Sequence, residues 1–191
     1  KEEKIDAKKK IHLSVYDLVS VVMSSFIIIA IIFTFVFRLV GVDGLSMTNT
    51  LQDGDWLLTV QKSEYEYGDI VVVSRNIENS VDGQATSEEP IIKRVIAVEG
   101  QTVDFDFAKG IVYVDGVALD EKYIATPTSI SEGGVFPQVV EAGHVFVMGD
   151  NRNDSKDSRS PEIGQIDRRE ILGKAVFLLF PGRDRHSGLQ E

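Results

Sequence analysis

Ile91-Ile92-Lys93-Arg94-Val95-Ile96-Ala97-Val98 and, three residues on, Thr102-Val103-Asp104-Phe105-Asp106-Phe107 carry the signature of β-structure. The first run is dominated by β-branched apolar residues, which suit a pleated, buried surface better than a helix. The second alternates apolar with acidic, so one face should be buried and the other wet. Ala108-Lys109-Gly110 then reads as a hairpin loop and Val114-Asp115-Gly116-Val117 as a second turn. Working outward, short β-rich runs recur at 56–61, 70–74, 111–114, 144–148 and 175–180, separated by Gly, Asp and Asn. The expectation is a mainly β domain of antiparallel, barrel-like sheets, with residues 102–143 as a small inserted β subdomain. Residues 76–90 (with Glu78, Asp82, Glu88 and Glu89) and 125–134 read as loops, and 183–191 as a frayed tail.

The N-terminal part has a different texture. Residues 18–37 carry no charge, and their polar members are Ser20, Ser24, Ser25 and Thr34. As a helix rising about 1.5 Å per residue this run covers about 30 Å, the thickness of a bilayer core. A cleaved leader fits less well, because its apolar run is usually roughly 7–15 residues and no Ala-x-Ala follows; a buried soluble helix is the other alternative. Lys1, Lys4, Lys8, Lys9, Lys10 and His12 precede the run, whereas Arg38 alone closely follows it. Basic residues stay on the cytoplasmic side. The expected organisation is a cytoplasmic segment 1–17, a single transmembrane helix 18–38 in the cell membrane, and an extracytoplasmic domain 39–191.

Residues 39–191 hold 14 of the 20 basic and 26 of the 30 acidic side chains. That balance argues against nucleic acid as a partner, since phosphate binding needs concentrated Lys and Arg. The chain has no cysteine, which excludes a disulfide framework and a thiol nucleophile.

Three places carry chemistry-bearing residues. Gly44-Leu45-Ser46-Met47 sets a hydroxyl among apolar neighbours just beyond the uncharged run; by itself it reads as a turn serine. Lys93 interrupts an apolar strand, sharing a face with Ile91, Val95 and Ala97, while Arg94 shares the other with Ile92, Ile96 and Val98. Such a lysine is either on a wet edge or buried. Burial would disfavour its charged form, and a fall from about 10.4 to about 7–8 corresponds to roughly 3–5 kcal/mol. Gly149-Asp150-Asn151-Arg152-Asn153-Asp154-Ser155-Lys156-Asp157-Ser158-Arg159 is too polar for core and reads as a surface loop; it lacks the frame of a calcium loop. No metal site or cofactor is expected.

Together, Gly44-x-Ser46-Met47 with Thr50-Leu51, Tyr67-Gly68-Asp69-Ile70-Val71, Lys93-Arg94-Val95 and the 149–159 run resemble the ordered motifs of bacterial type I signal peptidase. The resemblance spans nearly the whole chain. It implies a membrane-bound serine endopeptidase with a Ser/Lys dyad that removes signal peptides, having small residues before the cut, from exported preproteins. The lipid bilayer and the secretion machinery would be its other partners. Ser46 would be the nucleophile and Lys93 the general base. Ser155 would orient the lysine, Asp157 and Arg159 would brace their loop, and Asp150 would pair with Arg94. Val42, Met47, Leu51 and Ile92 would line the substrate pockets, and the Ser46 N–H would donate to the oxyanion, Gly44 having no hydroxyl to add. The chain departs from the family pattern at Asn49, where proline is usual, and in the order Asn153-Asp154. The Asn49 departure motivates a second reading, a membrane-anchored chaperone or assembly factor for surface fibres. A self-cleaving repressor-type protein is disfavoured by the uncharged span and the absence of a DNA-binding helix pair.

Overall fold

The computed structural model describes residues 2–74 and 90–182. Residues 76–89 of the expected loop 76–90, and the tail 183–191, lie outside the described residues. The chain divides into two compact units, Lys1–Arg38 and Leu39–Glu191.

The first unit is a helix, α1, Glu2–Val36. Ser25 and Thr34 each donate a side-chain hydroxyl to the carbonyl four residues back, at 2.8 Å. The described apolar side chains between Val15 and Ile31 are all exposed. The helix ends two residues before the expected boundary of 38, because Phe37 and Arg38 already belong to a strand, β1 (Phe37–Gly41). Among the described residues no helix is long and apolar enough to cross a membrane.

The second unit is built from antiparallel strands. After β1 come β2 (Trp56–Val60), β3 (Ile70–Val73), β4 (Ile91–Val98), β5 (Thr102–Asp106), β6 (Ile111–Val114), β7 (Val117–Ala118), β8 (Gln138–Val139), β9 (His144–Met148), β10 (Ile166–Asp167) and β11 (Ile171–Phe180). Seven of them form one sheet in the order β1-β2-β11-β3-β4-β9-β10. The expected mainly β, antiparallel architecture is present, and no ladder among the described residues closes this sheet into a ring. The other four, β7-β6-β5-β8, form a second sheet whose residues lie between the spatial neighbours β4 and β9. Its tight turn at Asp115 and Gly116 has φ of 51° and 77°, the left-handed pair that a two-residue hairpin requires.

The first sheet and its loops bury three apolar clusters. One centres on Val71, Val73, Val95, Val145 and Val147; a second joins Ile96, Ala97, Phe146 and Met148 to the second sheet through Val103, Val112 and Val114. The third packs Val42, Met47 and Leu51 on Leu57, Val72 and Ile92. Strict alternation along β4 does not survive to its end. The register against β9 shifts between Val95 and Ala97, the mark of a β-bulge, so Ala97 joins Ile96 in the second cluster rather than following Val95.

Candidate active site

Ser46 lies on the connection from β1 to β2. Its base is pinned by Val42 N–H on Asp55 O at 2.7 Å, Gly54 N–H on Val42 O at 2.9 Å and Gly44 N–H on Asp53 Oδ1 at 2.8 Å. Tight turns follow, with Thr48 N–H on Leu45 O at 3.0 Å and Leu51 N–H on Met47 O at 2.9 Å. Met47 and Leu51 sink into the core, which leaves the half-buried Ser46 on the rim above them. Asn49, the departure from proline, has φ +84°. Proline is locked near −65° and could not occupy this turn; asparagine is among the few side chains that tolerate it.

Lys93 stands on β4 opposite Val71 of β3, on the side where Val71 and Val95 are buried. It is 4 % exposed, and its Nζ donates to Ser46 Oγ at 2.7 Å. Burial pulls its pKa down from 10.5 to about 8; the Asp157 carboxylate opposes that fall and the Arg159 guanidinium adds to it.

The run after β9 closes the site from the other side. The Asn151 N–H donates to the Ser46 carbonyl oxygen at 3.0 Å, and Asn151 Nδ2 to Leu45 O at 3.1 Å. Gly149 makes this approach possible: a Cβ there would lie 2.5 Å from Ser46 O and would also strike Ser155 Oγ. Asp150, wholly buried, takes both ends of the Arg94 guanidinium at 2.8 and 2.6 Å and the Thr50 hydroxyl. Asp157 holds Arg159 at 2.8 and 2.9 Å and accepts from Gly149 N–H at 3.0 Å. Ser155 donates its hydroxyl to Asp157 Oδ2 at 3.0 Å, and it lines the same cleft as Lys93.

Asn153 has a reason for its place. Its Oδ1 accepts from Ser129 N–H at 2.9 Å, while its Nδ2 donates to Pro127 O at 3.0 Å and Thr126 Oγ1 at 3.2 Å. An aspartate at 153 would set a carboxylate against the Pro127 carbonyl. Sequence reasoning missed Arg152, Glu121, Tyr123, Thr50 and Asn151 as members of this network. Arg152, Asn151 and Thr50 sat within the quoted motifs; nothing local marks Glu121, whose partner is 31 positions away.

These elements border a cleft of about 670 Å³. Val42, Met47 and Ile92 line it beside Ser46 and Lys93. Leu51 does not; its side chain is turned into the cluster with Leu57 and Val72. A hydroxyl, a buried amine and a groove with apolar side chains beside them can together support attack of an oxygen nucleophile on an extended chain.

The sequence matches the family described as "Signal peptidase, peptidase S26" over residues 15–180. A Synechocystis protein named "Probable signal peptidase I-1" is 42% identical over 142 residues, covering 71% of this chain and 67% of its own length. "Signal peptidase I" of Bacillus licheniformis is 30% identical over 191 residues, covering 94% and 95% respectively. "Signal peptidase I" of Bacillus amyloliquefaciens is 35% identical over 162 residues, covering 78% and 77%.

Proposed function

The chain belongs to the signal peptidase family S26, and we propose that it removes signal peptides from exported preproteins as a membrane-anchored Ser46/Lys93 enzyme. One observation carries the dyad: Lys93 Nζ is 2.7 Å from Ser46 Oγ, buried, with a pKa brought down to about 8. An ammonium there donates to Oγ; once neutral, Nζ accepts the Oγ proton.

The reaction follows from that geometry. As Ser46 Oγ bonds to the scissile carbonyl carbon, its proton passes to Lys93 Nζ. The ammonium returns that proton to the leaving amine as the C–N bond breaks, and an ester remains on Ser46. A water then gives a proton to the same amine, adds to the ester carbonyl, and Ser46 leaves with its proton restored. The oxyanion formed in each half meets the Ser46 N–H, which donates to no group among the described residues; one such donor is worth about 2.7–4 kcal/mol. Val42, Met47 and Ile92 favour small apolar side chains ahead of the cut. Asp150 with Arg94, and Asp157 with Arg159 and Ser155, fix the loop that carries Asn151. Asp150, Arg94, Asp157 and Arg159 lie outside the cleft lining and act through that loop, whereas Ser155 borders the cleft itself.

The anchor would be the uncharged run within α1, with residues 1–17 cytoplasmic and 39–191 on the outer side. From 18 to 36 it would extend about 28 Å, and a helix apolar all round suits lipid better than water. The exposed apolar side chains of Trp56 and Phe180, paired at one end of β2 and β11, and of Phe177 further along β11, fit a domain held against a bilayer. Such a site would meet its substrates where the secretion machinery releases them. The chaperone reading is not favoured: it was motivated by Asn49, and a turn at φ +84° accommodates Asn49 while Ser46 keeps its contact with Lys93.

Cleavage of a purified preprotein in detergent tests the proposal. Ser46→Ala and Lys93→Met should each abolish it in folded protein, and full activity in either would refute the dyad.

A further inference from the structure

The Gly149–Arg159 run is gripped by a segment of the second sheet's excursion, and the grip centres on a buried ion pair. Arg152 is fully buried and Glu121 nearly so, at 0% and 5% side-chain exposure. The pair is bidentate, Nη1 to Oε2 at 2.8 Å and Nη2 to Oε1 at 2.6 Å. The rest of the guanidinium is also committed. Nη1 donates to Thr128 Oγ1 at 3.1 Å, and Nε turns back to Gly149 O at 3.1 Å. Tyr123 lies between two cations, its ring centroid 4.0 Å from Arg94 and 5.7 Å from Arg152, and its hydroxyl donates to Glu121 at 2.9 Å.

A lone buried ion pair would be weak evidence for anything beyond packing. Here the connection runs on to the nucleophile. Arg152 closes residues 149–152 into a compact turn through Gly149 O, and inside that turn the Asn151 N–H holds the Ser46 carbonyl at 3.0 Å. Ser46 has no regular strand or helix of its own to fix it. Its position against Lys93 is therefore set in part by residues 149–152, and theirs by Glu121.

We infer that Arg152 and Glu121 are positioning residues for the Ser46–Lys93 pair, so that the second sheet's excursion sets the alignment of the nucleophile. This rests on the proposed peptidase activity and names a residue pair that the dyad reading leaves out. Misplacing a reacting group by about 1 Å costs on the order of 100-fold in rate, and the effect should fall on kcat rather than KM, since neither side chain lines the cleft.

The test compares the full chain with Glu121→Gln and with the double variant Arg152→Met/Glu121→Leu. Three readouts are taken: preprotein kcat and KM, the thermal midpoint, and hydrogen exchange at the Asn151 amide. Glu121→Gln leaves a buried cation poorly paired and should lose both stability and kcat. The double variant removes both charges together, which buried pairs tolerate, so its midpoint should return toward that of the parent. Its kcat should nevertheless stay about 100-fold down at unchanged KM, with faster exchange at Asn151, because Gly149 O has lost its partner. Recovery of kcat together with the midpoint, or unaltered Asn151 protection, would overturn the inference. An inactive parent chain would instead sink the peptidase reading, while the Asn151 exchange would still report on the positioning.

Discussion

Lys93 and Ser46, 47 positions apart in the chain, meet at 2.7 Å, with the amine buried and the hydroxyl at the rim of the cleft. The strand that carries Lys93 is among the most deeply buried of the sheet, whereas Ser46 rides on a connection held by other residues' hydrogen bonds. The amine is thus the fixed partner and the hydroxyl the one that must be brought to it.

The depressed lysine makes two linked predictions of pH dependence. Its folded pKa of about 8 lies below the 10.5 of the unfolded chain, so between those values the unfolded state binds more protons and stability rises with pH. Below pH 8 the folded domain bears the full penalty, about 3 kcal/mol. Lys93→Met should therefore raise the denaturation midpoint at pH 7, with the advantage over the parent shrinking as pH climbs from 8 to 10.5. Cleavage by the parent should rise with pH through about 8. A midpoint difference constant across that range, or a flat rate profile, would contradict a buried titrating amine; denaturant titration and initial rates check both.

Asn49 should tolerate glycine and reject proline. At φ +84° glycine is unstrained, so Asn49→Gly should retain activity and lose at most a few tenths of a kcal/mol. Asn49→Pro must rebuild the turn, and the expected cost is about 1–3 kcal/mol, with kcat falling further than stability because Ser46 is three residues away. Urea denaturation beside steady-state kinetics separates the two effects.

Gly149→Ala should be far worse than an exposed glycine replacement. The added methyl would meet Ser46 O at 2.5 Å as well as Ser155, and backbone on one side cannot yield as a flexible side chain does. A loss of about 1–3 kcal/mol with near-complete loss of cleavage is expected. Gly116→Ala, where no atom lies within 4 Å, should retain full cleavage, whatever its turn strain does to the midpoint.

Much of this architecture was legible in the residues. β4, β6 and β9 carry long enough runs of β-branched and aromatic side chains that their limits fall where the sequence puts them. Besides β1, whose first residues were read as the end of the helix, the strands it missed are of other kinds. β7, β8 and β10 have two residues each, too few to show a period. The first part of β11 contains Gly173, which reads as a break but packs against Thr59 and Val60 O. The bulge between Val95 and Ala97 changed which face Ala97 occupies, and alternation alone cannot foresee an extra residue. In the site, the quoted motifs are the segments that meet at the cleft, while the packing of Leu51 into the cluster with Leu57 and Val72 depended on partners that no spacing encodes.

The placement of the second sheet between neighbouring strands β4 and β9 has a temporal consequence. Ser46 and Lys93 are both made early, yet the amide that seats the Ser46 carbonyl belongs to Asn151, more than fifty residues beyond the lysine. A nascent chain holding both residues consequently lacks that seat until nearly the whole second unit has been synthesised and has closed upon itself.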